Sequence, residues 1–128
     1  MLMPGTLLIT DDALIIRAMI KDTATAAGWH VVGEAANGQQ AIEQYERLRP
    51  DAVTLDLVMP EFDGLHALRG ILGLDPQARV VVVSALEQKN ILMDAFKIGA
   101  ADFIVKPFDK KALIATLEKV ISETVVAE

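Results

Sequence analysis

The 128-residue chain contains no cysteine, so it can form neither a disulfide nor a thiolate metal site. That absence suits a reducing cytoplasm, which is the expected location. An excess of positive charge is missing too. With a net charge of −6 and a pI near 4.8, direct binding to nucleic acid or to an anionic membrane is not expected. No basic stretch followed by an apolar run opens the chain, which begins Met-Leu-Met-Pro-Gly, so no signal peptide is read there. Its longest wholly apolar run is strand-sized, far below the ~20 residues that span a bilayer. Linkers, low-complexity tracts and internal repeats are also lacking, and the length fits a single domain over residues 1–128.

What the chain does have is apolar residues, at 52%, arranged in alternating patterns. Short continuous runs occur at Leu7–Thr10, Val31–Ala35, Ala52–Leu57, Val80–Ser84 and Phe103–Val105. Runs such as Val80-Val81-Val82-Val83 predict strands covered on both faces, hence a parallel sheet. Between them the spacing predicts helices: one near Ala13–Ala27, with Ile15, Ala18, Met19 and Ala26 on its apolar side, then Gln39–Leu48 and Leu65–Leu74. A fourth carries Ile91, Leu92, Ala95 and Ile98, and a fifth Leu113, Leu117, Val120 and Ile121. Gly28 and Gly99 mark helix ends, and Asp109 is placed to cap the last helix. Strand and helix in alternation imply right-handed βαβ units and an α/β sandwich of three layers.

Ligands of such sheets sit outside the carboxyl ends of the strands. The residues expected there are Thr10-Asp11-Asp12, Asp56, Ser84 and Lys106. Singly, each has a plain structural role. Asp11-Asp12 suits a helix N-cap, Asp56 a turn, Ser84 a strand terminus and Lys106 a solvated charge. Their shared placement carries the functional reading. Carboxylates crowded together repel unless a cation is present, and oxygen ligands without His or Cys select a hard one. Mg²⁺ is expected over Ca²⁺ because it needs few protein carboxylates and pairs with phosphate oxygens. A carboxylate can attack phosphorus to give an aspartyl phosphate, Lys106 offering a point charge and Ser84 a donor to the phosphoryl oxygens.

With these residues the chain resembles the receiver domains of two-component response regulators, the single-domain chemotaxis regulators most of all. The matching pieces are Leu8-Ile9-Thr10-Asp11-Asp12, Leu55-Asp56-Leu57-Val58-Met59-Pro60, Asp63-Gly64, Ser84-Ala85 and Lys106-Pro107-Phe108. The resemblance implies a five-stranded parallel sheet of order 2-1-3-4-5 flanked by five helices, a flavodoxin-like sandwich. It implies that Asp56 is the phosphoacceptor, loaded from a phosphohistidine of a sensor histidine kinase. It also implies Mg²⁺ on Asp11, Asp12, Asp56 and the Val58 carbonyl, Ser84 as switch hydroxyl and Lys106 as essential lysine. A cis Lys106–Pro107 bond and Phe103 as aromatic switch follow from the same resemblance. So does a downstream protein target such as the flagellar motor switch, reached by a monomer that is not a turnover enzyme.

Some positions depart from the family's commoner choices. Ser84 stands where Thr is commoner, keeping the hydroxyl without the branched methyl, and Phe103 where Tyr is frequent. Val58 and Leu86, two past the acceptor and two past the hydroxyl, have no polar group to orient a hydrolytic water, so slow loss of phosphate is expected.

Two other classes compete. A haloacid-dehalogenase-like phosphatase also uses a strand-end Asp, Mg²⁺, Ser/Thr and Lys, but needs a second Asp where Val58 stands. An FMN binder shares the fold, but Asp11-Asp12 would repel its phosphate. The short stretch from Ser122 to Glu128 reads as a terminal tail, favouring a stand-alone regulator. His30 and His66 fall away from the strands' carboxyl ends, and Trp29 reads as a loop or packing residue.

Overall fold

The computed structural model describes residues 5–59, 63–85 and 88–126, with side chains through residue 122. Pro60 of the quoted motif and Leu86 lie outside the described residues. Strands β1 (Thr6–Thr10), β2 (His30–Ala35), β3 (Ala52–Asp56), β4 (Val80–Ala85) and β5 (Asp102–Lys106) alternate with helices. The helices are α1 (Leu14–Ala26), α2 (Gly38–Leu48), α3 (Gly64–Leu74), α4 (Lys89–Ile98) and α5 (Lys110–Val126). All strand pairs are parallel, in the order β2-β1-β3-β4-β5. The expected α/β fold and strand order are therefore present.

The four valines of β4 show why the run is continuous. Val80 and Val82 join a core under α2, α3 and α4 with Leu8, Val53, Leu55, Leu68 and Ile71. Val81 and Val83 join a second core under α1 and α5 with Leu7, Ile9, Ile20, Leu113 and Leu117. Successive side chains enter opposite layers, so the run of four valines is apolar on both faces of the strand. Each fully buried side chain of this size contributes about 1.5–3 kcal/mol.

Helix α1 corrects one expectation. Its buried face is Ile20, Thr23 and Ala24, with Ile16 and Ala27 packed beside them. Ile15 and Met19, expected inside, are 68% and 47% exposed, and Ala26 is exposed as well. The run Leu14-Ile15-Ile16, followed by Ala18, Met19 and Ile20, is apolar nearly all round. Periodicity therefore does not choose a face; packing against β1 and α5 does.

Helix ends match their local chemistry. Gly28 and Gly99 follow α1 and α4 with φ of 95° and 132°, where a side chain would be strained. Asp109 accepts from Ala112 N at 2.6 Å and caps α5, as expected. Asn37 and Asp63 cap α2 and α3 by accepting from Gln40 N and His66 N. No helix among the described residues is long and apolar enough to cross a membrane.

Candidate functional site

Thr10 of β1 lies opposite Leu55 of β3, so the chain leaves both central strands at the same edge. That register brings Asp11 and Asp12 alongside Asp56, the last residue of β3. One oxygen from each of the three carboxylates lies within 4.8 Å of the others. Asp11 and Asp56 are only 1% and 5% exposed, whereas Asp12 opens to solvent. Three hard oxygen donors this close, two of them desolvated, fit a divalent cation.

Lys106, at the end of β5, reaches across β4 to the same acids. Its Nζ is 3.1 Å from Asp11 Oδ2 and 3.4 Å from Asp56 Oδ2. The Lys106–Pro107 peptide is cis. Burial raises the Asp56 pKa, and the Asp11 charge adds to that rise. The Val58 N–H and Lys106 pull the other way without cancelling it. For Lys106, burial pulls the pKa down, but the Asp11 hydrogen bond and the charges of Asp56 and Asp11 outweigh it and raise it overall. One ammonium serves two buried carboxylates, so the site is short of positive charge.

The loops hold these groups by local bonds. Asp11 Oδ1 accepts from Ala13 N at 2.9 Å, and Asp56 Oδ1 accepts from Val58 N at 3.1 Å. The N-cap of α1 is Ala13, with no side-chain cap, so the Asp11-Asp12 pair does not act as the helix cap. Gly64 opens α3 directly against β3. A Cβ there would collide with the Asp56 carbonyl oxygen and Leu57 Cα, so the residue type permits the close approach.

Ser84 ends up at the rim, one residue past Val83, which lies opposite Asp56. Its hydroxyl, however, is turned to Gln88 Oε1 at 2.8 Å. Phe103 is 39% exposed and meets Phe96 of α4 edge-to-face, with centroids 5.7 Å apart. It is not an ordinary core ring. His30 opens β2 at the far end of the sheet, His66 sits in the first turn of α3, and Trp29 is buried in the core beneath α1 and α5.

Two residues near the site were not legible in the sequence. Arg17 donates from Nη1 to the Asp11 carbonyl at 2.7 Å and from Nε to Glu34 at 3.2 Å, tying the rim loop to β2. Gln88 holds Ser84. Neither has a sequence signal beyond a polar residue on a helix or just before one. Large apolar residues close in sequence to the acids are exposed: Leu14 and Ile15 in the first turn of α1, Met19 one turn on, and Val58 after β3, at 46–69%.

Comparison with known proteins agrees with this geometry. The response regulator receiver domain family matches residues 7–118. The chemotaxis protein CheY of Thermotoga maritima is 48% identical over 113 residues, covering 88% of this chain and 94% of that protein. The Bacillus subtilis CheY is 45% identical over 120 residues, 94% of this chain and all (100%) of that one. Among solved structures, a CheX–CheY–BeF₃–Mg²⁺ complex from Borrelia burgdorferi superposes with a TM-score of 0.87 at 33% identity, over 92% of this chain and 90% of that one.

Proposed function

The chain belongs to the response regulator receiver family, and from that premise we propose that it is a phosphorylation-dependent chemotaxis regulator, one receiver domain over residues 1–128, with Asp56 as phosphoacceptor. The observation that carries the reading is the meeting of Asp11, Asp12, Asp56 and Lys106 at one edge of the sheet.

An Asp56 carboxylate oxygen attacks phosphorus while the P–N bond of a kinase phosphohistidine breaks, its electron pair staying on the imidazole nitrogen. Asp11, Asp12, Asp56 and the Val58 carbonyl would hold Mg²⁺, which when bound neutralises charge on the phosphoryl oxygens. Lys106 already stands between Asp11 and Asp56 and swings to a phosphoryl oxygen that replaces part of its carboxylate environment. The Ser84 hydroxyl donates to a second oxygen. The loop after β4 follows Ser84, and Phe103 turns inward from its exposed position against Phe96. That movement remakes the face of α4, β5 and α5 that a target protein reads, a two-state element biased by a new charge.

The partners follow from the same site. A sensor histidine kinase supplies the phosphoryl group, docking on the exposed apolar residues Leu14, Ile15, Met19 and Val58. The downstream target is a protein, the flagellar motor switch by likeness to the chemotaxis relatives. The protein acts as a cytoplasmic monomer, without direct contact to nucleic acid.

Incubation with acetyl phosphate and Mg²⁺, followed by intact-mass measurement, tests the reading. One phosphoryl mass is expected on the parent and none on Asp56→Asn or when the metal is chelated. An unmodified parent would sink it.

A further inference from the structure

Ser84 has a single hydroxyl proton, and Gln88 already accepts it. The Ser84 Oγ lies 2.8 Å from Gln88 Oε1, and Ala85 N lies 3.0 Å from the same oxygen. A backbone N–H only donates, so the amide atom facing Ala85 is the oxygen and not the NH₂. Ser84 must then donate to it as well. Phosphoryl oxygens are acceptors that call on this same proton, so Ser84 cannot serve both. The nearby Ala85 carbonyl, at 3.3 Å, is a longer and weaker alternative.

Gln88 occupies the N-cap position of α4, yet its side chain caps nothing in that helix. At the same position α2 and α3 have Asn37 and Asp63, which bond forward into their helices. Gln88 bonds backward, joining the first turn of α4 to the end of β4.

We propose that Gln88 is a latch: it holds the Ser84 hydroxyl and the Ala85 N–H in the resting state, so capture of Ser84 by a phosphoryl group on Asp56 also releases the start of α4. This rests on the roles given above to Asp56 and Ser84. Gln88 is a positioning residue that acts through Ser84 and touches no reacting atom. The helix it releases carries Met93 and Phe96, both exposed, and Phe96 packs on Phe103. The two hydrogen bonds to Gln88 therefore link the phosphoryl site to the α4 and β5 face, and the latch makes the switched state harder to reach.

Binding of beryllofluoride with Mg²⁺, a stable mimic of the phosphoryl group, tests the latch by calorimetry. Gln88→Met removes the acceptor at similar length and is expected to bind the mimic about three- to tenfold more tightly. Gln88→Glu keeps an acceptor oxygen and is expected to bind no more tightly than the parent. In a Ser84→Ala background Gln88→Met should have no effect, which a general loosening of the fold would not reproduce. In the parent itself, the Ala85 amide should lose protection from hydrogen exchange when the mimic binds. Equal or weaker binding by Gln88→Met, the same gain without Ser84, or an unchanged Ala85 amide overturns the latch alone. A parent that takes up no beryllofluoride overturns the receiver reading and the latch with it.

Discussion

Lys106 and Asp11 are 95 residues apart in the chain, and their side chains meet at 3.1 Å, Nζ donating to Oδ2. The same ammonium is 3.4 Å from Asp56, so it is the cation that offsets two buried carboxylates. Lys106→Met should lower stability in the absence of Mg²⁺ by about 1–3 kcal/mol, a buried charge having lost its partner. Added Mg²⁺ should then stabilise the variant more than it does the parent, because the ion no longer competes with an ammonium. Urea unfolding with and without the metal measures both. Equal stabilisation of the two proteins would show that Lys106 and the metal do not share these oxygens.

Val58 stands two residues past Asp56, 46% exposed and with no polar side-chain atom to offer. Water entering beside the aspartyl phosphate finds no side-chain hydrogen bond there. Val58→Asn is expected to lose its phosphoryl group several-fold faster than the parent, followed by intact mass after donor removal. Decay at the parent's rate would count against this position as the brake.

Two glycines of α3 should respond with opposite sign. Gly64 has the Asp56 carbonyl and Leu57 Cα where a Cβ would go, so Gly64→Ala should destabilise by about 1–3 kcal/mol and slow phosphorylation by displacing Asp56. Gly73 has nothing within 4 Å of that position. There Gly→Ala should stabilise by about 0.5–1 kcal/mol, since the helix gains the better former. Thermal unfolding of the pair decides whether close approach, and not helix propensity, keeps Gly64.

The exposed apolar residues of α1 separate the phosphodonors. Ile15→Asp should leave phosphorylation by acetyl phosphate near the parent's rate, because the acids are untouched. Transfer from a phosphorylated kinase domain should fall at least tenfold through lost apolar contact. Parallel loss with both donors would place the fault in the site itself.

Tyr45 donates its hydroxyl to Asp75 Oδ2 at 2.8 Å, tying α2 to the end of α3. That bond is the first cause holding the Asp75 carboxyl below its ordinary value of 3.8. Burial, followed by Asp75, pushes the Tyr45 phenol above its ordinary value of 10.0. For the acid, the lowered pKa contributes stability above 3.8 that is lost as pH falls through the folded value. For the phenol, the raised pKa contributes stability below 10.0 that is lost as pH rises beyond it. The stability gap between the parent and Tyr45→Phe should therefore be widest between those limits and narrow in acid. Unfolding curves at neutral and acidic pH check it, and a gap that widens in acid would refute it.

Read from the chain alone, the elements and the acidic rim were both legible. A strand buried on two faces is largely apolar, as Val80 to Val83 are, and the residues closing such runs fall at one edge of a parallel sheet. Asp11, Asp56, Ser84 and Lys106 were placed by that rule. The buried side of α1 was not legible. With apolar residues at Leu14, Ile15, Ile16, Met19 and Ile20, many rotations bury a similar area, and contact with β1 and α5 chose one. The partners of Lys106 and of Ser84 were decided in the same way. A hydrogen bond depends on a few tenths of an ångström between groups distant in sequence, and only the packed layers set that distance.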